Sequence, residues 1–292
     1  MTWRLRWLSG LSILLVVVPL VVGTFETYPT RPNGDPWNYL AAAERLNAGH
    51  PLYLLSPGDR AVELHPPYWS VPLLSPPFIA VLWRPLAPFG DAAMIAWWIG
   101  GIAATAIYMI WLLRRLENPW SIIALVALSP PIAYGALSGN AIAYLLPMLA
   151  LRHPAAVAAA TGVRLTPVLL APSTGLRATL AYGLGIAAFS LVGAGLGNHI
   201  DWLQAVTTSA PTPLSVAGLT GLPPFAVALG CLIVAFRGWR WGVVAMTLAS
   251  PTTYLYTFGL LSLLLVPTTL RRQSTRRPWP WQRVLPVHPG QA

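Results

Sequence analysis

Long apolar runs recur along this sequence from Leu8 to Leu270, and they restrict the folds that the chain can adopt. With 55% hydrophobic and 9% charged residues, the chain lies outside the usual composition of soluble globular proteins. Because about 20 helical residues cross a bilayer core, we predict an all-α, polytopic transmembrane helical bundle with about ten membrane segments. The predicted segments cover residues 8–25, 71–89, 92–113, 121–137, 141–151, 154–170, 178–196, 222–236, 241–249 and 254–270.

Residues 1–270 are expected to form a single transmembrane domain, and residues 271–292 a basic, disordered cytoplasmic tail. Breaks between helices are predicted at residues 129–131, 138–140 and 250–251, where Ser, Pro, Gly and Asn cluster. Short, broken helices are tolerated at membrane depth only where protein or a wet cavity covers their free backbone groups. These breaks therefore indicate an internal cavity.

The distribution of arginine predicts the orientation of the chain, which contains no lysine. Arginines near both termini place both ends in the cytoplasm, where basic residues concentrate. Ten crossings satisfy this and leave the polar loops 26–70 and 197–221 outside. Arg114 and Arg115 disagree, because they would lie outside too; a re-entrant segment 71–89 would move them inside but invert the later loops. The net charge of +10 is thus attributed to membrane orientation, and no nucleic-acid partner is predicted.

The first polar loop concentrates the acids of the chain. Asp35-Pro36 is typical of a helix start and Gly49 of a helix stop, which predicts a short surface helix over residues 36–48 along the membrane. Asp35 would then lie at the mouth of the cavity, where it could act as a catalytic base or only as an N-cap. Five of the eight acids fall in this loop: Glu26, Asp35, Glu44, Asp59 and Glu63.

Arg164 lies within the apolar segment 154–170. A charge at that depth costs at least a few kcal/mol, as an order of magnitude, unless it is paired or faces water. The sequence therefore predicts either a functional cation or a structural pair with a buried acid or a helix carbonyl.

Taken in order, several stretches resemble the GT-C superfamily of membrane glycosyltransferases, and specifically glycosyltransferase family 87, the polyprenyl-phosphate-mannose-dependent mannosyltransferase type. The similarity is distributed over residues 34–267. The stretches are residues 35–43 with 49–53 (the family's Asp, aromatic, Ala-Ala and Gly-x-Pro-x-Tyr loop), 75–78 with 84–86 (its Tyr-Pro-Pro and later Pro-Leu), 162–167 (its Lys-x-x-Pro) and 249–256 (its Ser-Pro-x-x-Trp).

The sequence also departs from the family at several polar positions. Where the family often has Gly-Gln-x-Asn, this chain has Asn140 and Ile142 at the two polar positions. Tyr256 stands where a His is common, and Arg164 stands in place of the family's Lys.

The resemblance implies a GT-C-type enzyme that moves a hexose, mannose or another, from a polyprenyl-phosphate donor to an extracytoplasmic acceptor hydroxyl, with inversion. The acceptor would be a glycolipid or a glycan, and the protein would be a multi-pass protein of the bacterial plasma membrane. No cofactor is expected and no spacing marks a metal site, although a divalent metal held by Asp59, Glu63 or Asp201 stays open as an alternative. Asp35 would be the general base, and Arg164 would bind the donor phosphate. The substrate-binding candidates are Asn140, Tyr68, Tyr254, Tyr256, His65 and Glu63.

Plainer interpretations stay open. Loop acids and histidines are commonly just solvated, and tyrosines anchor at membrane interfaces. A small-solute transporter would also use broken helices, but it would call for internal repeats and acids at membrane depth, and the sequence shows neither. A non-catalytic member that binds polyprenyl lipid is the third possibility, because of the changes at Asn140, Ile142 and Tyr256.

Overall fold

The computed structural model describes Trp7, Gly10, Leu11 and residues 34–60 and 72–267, and this part of the chain is helical without strands. The α-helices are α1 (Asp35–Ala48), α2 (Pro77–Trp83), α3 (Asp91–Arg115), α4 (Pro119–Leu137), α5 (Ile142–Ala150), α6 (Pro154–Val163), α7 (Ala171–Thr174), α8 (Leu176–Thr208), α9 (Val216–Thr220), α10 (Pro224–Ala235) and α11 (Trp239–Leu248). Three 3-10 helices accompany them: Ala87–Phe89, Thr166–Leu170 and Leu255–Leu265.

Three of these helices, α3, α4 and α8, are long and apolar enough to cross a membrane. They indicate membrane association, as the sequence predicts. The other helices are shorter, so the count of ten crossings stays a prediction. The predicted tail, residues 271–292, lies outside the described residues. Of the first predicted apolar segment, residues 8–25, only Gly10 and Leu11 are described, so this crossing also stays a prediction.

The prediction of a membrane-crossing segment at residues 71–89 is wrong. The helix in this stretch, α2, has seven residues, which rise about 10 Å, only a third of a bilayer core. Proline explains the stop: Arg84 still has helical dihedral angles (φ −49°, ψ −50°), but Pro85 has no backbone N–H to continue the hydrogen-bond ladder. After Pro85 the chain forms only the three-residue 3-10 helix Ala87–Phe89.

The predicted breaks have mixed outcomes. Helix α4 runs through Pro130 and Pro131, so the break predicted there is wrong. Pro130 cannot donate to the carbonyl of Val126, but the Ser129 hydroxyl donates to that oxygen at 2.7 Å and satisfies it. The breaks at residues 138–140 and 250–251 are confirmed, since α4 ends at Leu137 and α11 at Leu248.

The short helix of the first polar loop is where the sequence predicts it. Helix α1 ends at Gly49, whose φ of 75° is the left-handed conformation expected of a C-terminal glycine. It does not lie exposed on a surface, however, because Tyr39, Leu40 and the alanines 41–43 are at most 4% exposed. The small alanine side chains let α2 and α3 pack closely around it. The second polar loop is also corrected: α8 is kinked at Gly195 (φ 78°), and beyond the kink its helical structure continues to Thr208.

The charges separate between the two ends of the bundle. His153 caps the start of α6 and Arg164 its end, and Arg164 donates to Ser250 just after α11, so α11 begins at the opposite end of the bundle. There the Arg152 guanidinium lies 4.7 Å over the ring of Trp239. We call this the arginine end and the other the Asp35 end. Six of the ten arginines in the described residues lie at the arginine end: Arg114, Arg115, Arg152, Arg177, Arg237 and Arg240. Five of the six described acids lie at the Asp35 end: Asp35, Glu44, Asp59, Asp91 and Asp201.

Candidate functional site

Asp35 is not the N-cap of α1, so the N-cap interpretation is wrong. Gly34 occupies the cap position without a side-chain hydrogen bond, and Asp35 is the first residue of the helix. Its Oδ2 instead accepts a hydrogen bond of 3.0 Å from Nδ2 of Asn140. The half-buried Asp35 carboxylate is therefore directed at the break between α4 and α5.

The break itself fixes Asn140. Gly139 has φ 67°, and a Cβ atom at this position would overlap Pro36, so only glycine lets the two segments approach. The indole N–H of Trp97 donates to the Gly139 carbonyl at 2.8 Å. The Asn140 Oδ1 accepts from the backbone N–H of Ile142 at 2.9 Å, which orients its amide nitrogen toward Asp35. Asn140 thus positions the carboxylate in this structure, whereas the sequence suggested it as a substrate-binding residue.

The surroundings make Asp35 a stronger base than an ordinary aspartate. Burial raises the pKa of Asp35 from 3.8 to about 6, and the hydrogen bond from Asn140 and the charge of Arg164 offset only part of that rise. Burial, followed by the Asp35 charge, also raises the pKa of Tyr39 well above its ordinary value. Tyr39 therefore stays neutral one helical turn from a carboxylate that is ionised at neutral pH.

Arg164 lies at a helix break, not in the middle of a helix. It follows α6 in extended geometry (φ −147°), and the 3-10 helix Thr166–Leu170 begins two residues later. Its Nη2 donates to Ser250 Oγ at 2.7 Å, with Thr252 O and Thr257 Oγ1 each at 3.4 Å. All three are neutral oxygens. Within residues 34–60 and 72–267, Arg164 forms no salt bridge with an acid.

The carboxylate and the guanidinium lie near one another without direct pairing. The charge of Arg164 acts on Asp35, and the charges of both act on Tyr256. Tyr256 is stacked between Tyr134 and Tyr254, with ring centroids 6.2 Å and 5.5 Å away. A base, a cation and an aromatic wall are the groups that proton transfer, leaving-phosphate stabilisation and sugar stacking require.

Of the remaining substrate-binding candidates from the sequence, the structure describes Tyr254 but not the other three. Glu63, His65 and Tyr68 lie outside the described residues. Tyr254 lies in the aromatic stack and is 38% exposed. Sequence reasoning missed the groups that complete the site, Tyr39, Ser250 and Thr257. Tyr39 follows Asp35 by four residues, the spacing that places two side chains on one helix face, so that signal was available.

Comparisons with known proteins give no assignment: no protein-family model, no curated protein and no solved structure matches this chain. The glycosyltransferase resemblance and the roles it implies therefore stay predictions.

Proposed function

We propose that this chain is an integral-membrane glycosyltransferase of GT-C type that transfers a hexose from a polyprenyl phosphate to an acceptor hydroxyl on a glycolipid or glycan. The observation that carries the proposal is the pairing of Asp35, half-buried with a raised pKa, with Arg164, a cation free of any described acid. The two lie near each other without forming a salt bridge.

Asp35 is the general base in this proposal. As the acceptor oxygen attacks the anomeric carbon, Asp35 takes the hydroxyl proton, and a base whose pKa is near the operating pH does this efficiently. Asn140 holds one carboxylate oxygen at 3.0 Å, which leaves the other to meet the acceptor.

Arg164 stabilises the leaving group. The bond between the anomeric carbon and the phosphate oxygen breaks, its electron pair stays on that oxygen, and the planar guanidinium receives the added charge. Among the described residues, Arg164 donates to the protein through Nη2 alone, so its other nitrogens are available to a phosphate. Inversion follows when base and phosphate act on opposite faces of the sugar, with Asp35 on one face and Arg164 on the other.

The charge separation supports a multi-pass orientation in the plasma membrane, with the arginine end in the cytoplasm and the Asp35 end outside. In this orientation the helical segments from α3 to the 3-10 helix Leu255–Leu265, some of only nine or ten residues, would pass between the two ends nine times, and the predicted segment 8–25 would make ten. Residues 71–89 do not cross in this arrangement, whereas residues 154–174 cross twice. Arg114 and Arg115 then lie inside, and both termini do too, without inverting the later loops.

Cysteine labelling tests this orientation. In a Cys231→Ser background, Leu55→Cys is expected to react with a membrane-impermeant maleimide in intact cells, and Glu117→Cys only after permeabilisation. Both positions are exposed and lie at opposite ends of the bundle. Reaction of Glu117→Cys in intact cells would reverse the orientation.

The pH dependence of transfer tests the base. Purified protein is expected to transfer radiolabelled hexose from polyprenyl phosphate, with a rate that falls about tenfold per pH unit below about 6. The base is lost when Asp35 is protonated, and a bound anionic donor shifts the limb to slightly higher pH. A rate that is constant between about pH 5 and 7 would contradict the assignment.

A further inference from the structure

A second group of charges lies at the arginine end, far from Asp35. Arg152, between α5 and α6, donates from Nη2 to the carbonyl of Val266 at 2.6 Å and lies over the ring of Trp239. Its Nε is buried and has no hydrogen-bond partner among the described residues. The guanidinium is therefore fixed in position while part of its hydrogen-bonding capacity is unused.

The backbone at Arg152 is unusual as well. With φ 52°, it is the one non-glycine residue with positive φ among the described residues. Such geometry costs on the order of 1–3 kcal/mol and persists where the surroundings hold it, often at functional sites. The Arg152 side chain lies over Trp239, the first residue of α11.

A second cation, Arg240, lies close enough to Arg152 for its charge to act on it. Burial and then the charge of Arg240 lower the pKa of Arg152 to about 10. Arg240 is exposed in the first turn of α11, a helix start without a side-chain cap, where the helix dipole favours anions and disfavours cations. Helix α6 begins beside Arg152 and directs its own positive end to the same place. Two arginines and two helix starts thus converge without a salt-bridging acid in the described residues.

The surface next to these cations is apolar. Leu151 is 72% exposed, Phe236 63% and Trp241 48%. A soluble anion would gain nothing from such neighbours, whereas a lipid places its phosphate beside acyl chains and would contact both.

We infer that Arg152 and Arg240 bind the phosphate of an anionic phospholipid, with Trp241, Leu151 and Phe236 against its acyl region. A phosphate between the two guanidinium groups relieves their repulsion and forms charge-assisted hydrogen bonds. The uncapped start of α11 adds backbone N–H donors, and the dipoles of α6 and α11 both favour an anion there. This site is independent of the proposed transfer reaction, because it lies at the opposite end of the bundle.

The test measures how many phosphatidylglycerol molecules the purified full-length protein retains in native mass spectrometry, and how much this lipid raises its melting temperature. Phosphatidylcholine and inorganic phosphate at equal concentrations are the comparison ligands. Arg152→Gln and Arg240→Gln are each expected to weaken phosphatidylglycerol binding about fivefold, and the double variant roughly 25-fold. Transfer activity is not the readout, so failure of either proposal can be told from failure of the other.

Arg177→Gln is the matched control, because Arg177 is an exposed arginine at the same end. It is expected to change binding less than about twofold. Equal losses in Arg177→Gln and Arg240→Gln would overturn the site in favour of diffuse attraction. Equal stabilisation by inorganic phosphate would overturn the lipid assignment. If Arg152→Gln does not fold, Arg240→Gln decides the question, since its side chain is exposed.

Discussion

Asp35→Asn is expected to abolish hexose transfer, lowering the rate about 10²- to 10⁴-fold. Asparagine keeps the shape of the side chain and can still accept a hydrogen bond from Asn140, but it cannot take a proton from the acceptor. Donor binding should persist, since the phosphate is assigned to Arg164. The measurement is transfer from a radiolabelled polyprenyl-phosphate hexose, together with the KM for the donor.

The same substitution is expected to stabilise the protein. The folded-state pKa of Asp35 is about 6 against 3.8 unfolded, so the fold favours the protonated form and loses stability as pH rises between these values. At pH 7 to 8, Asp35→Asn should raise the free energy of unfolding by at most about 3 kcal/mol, and below about pH 4 the gain should vanish. A higher melting temperature with lost activity would exclude misfolding as the cause.

Glu44→Gln is the matched control for Asp35→Asn. Glu44 lies on the same helix, α1, and forms a partly exposed salt bridge with Arg60 at 2.8 Å. Its loss should cost less than about 1 kcal/mol and leave transfer nearly unchanged. Full activity in Asp35→Asn would remove Asp35 from the mechanism. If the wild type binds polyprenyl phosphate without transferring sugar, the non-catalytic alternative is correct, and solute uptake into liposomes would favour the transporter.

Local chemistry made part of the fold predictable. Asp35-Pro36 and Gly49 mark α1 to within one residue, because a helix start and a left-handed stop depend on the residues themselves. Proline was less reliable. Pro130 should have broken α4, but the hydroxyl of its neighbour Ser129 satisfies the carbonyl that it frees. Pro85, in contrast, does stop a helix. The apolar run of residues 71–89 is long enough to cross a bilayer, but its α-helix, α2, has only seven residues.

The sequence allowed individual residues of the site to be predicted, but not the contacts between them. The sequence marks Asp35 as an acid at a helix start and Arg164 as a cation in an apolar run. The hydrogen bond from Asn140 joins residues 105 positions apart, and that from Arg164 to Ser250 spans 86 positions. Such contacts depend on how the helices pack, and no periodicity along the chain encodes them. The raised pKa of Asp35 was equally out of reach, because burial is its main cause.

Arg164→Gln is expected to lower transfer about 10²- to 10³-fold, the effect of removing a charged donor from a developing anion. Arg164→Lys should retain activity to within about tenfold, because the charge is kept while the planar donor fork of the guanidinium is lost. Arg84→Gln is the control: Arg84 is exposed at the same end and donates to the Gly193 carbonyl at 2.9 Å. Its loss should leave the rate nearly unchanged.

A structural role for Arg164 can be separated from stabilisation of the leaving phosphate. Arg164 also donates to Ser250, so its loss frees a buried hydroxyl near the end of α11. Ser250→Ala removes that hydrogen bond and keeps the charge. If the bond matters only for packing, Ser250→Ala and Arg164→Ala should be equally impaired and guanidinium should restore neither. If Arg164 binds the leaving phosphate, guanidinium should restore Arg164→Ala alone and raise kcat more than it changes the KM for the donor. The charge then acts in the transition state, because it meets the phosphate as the bond to the sugar breaks.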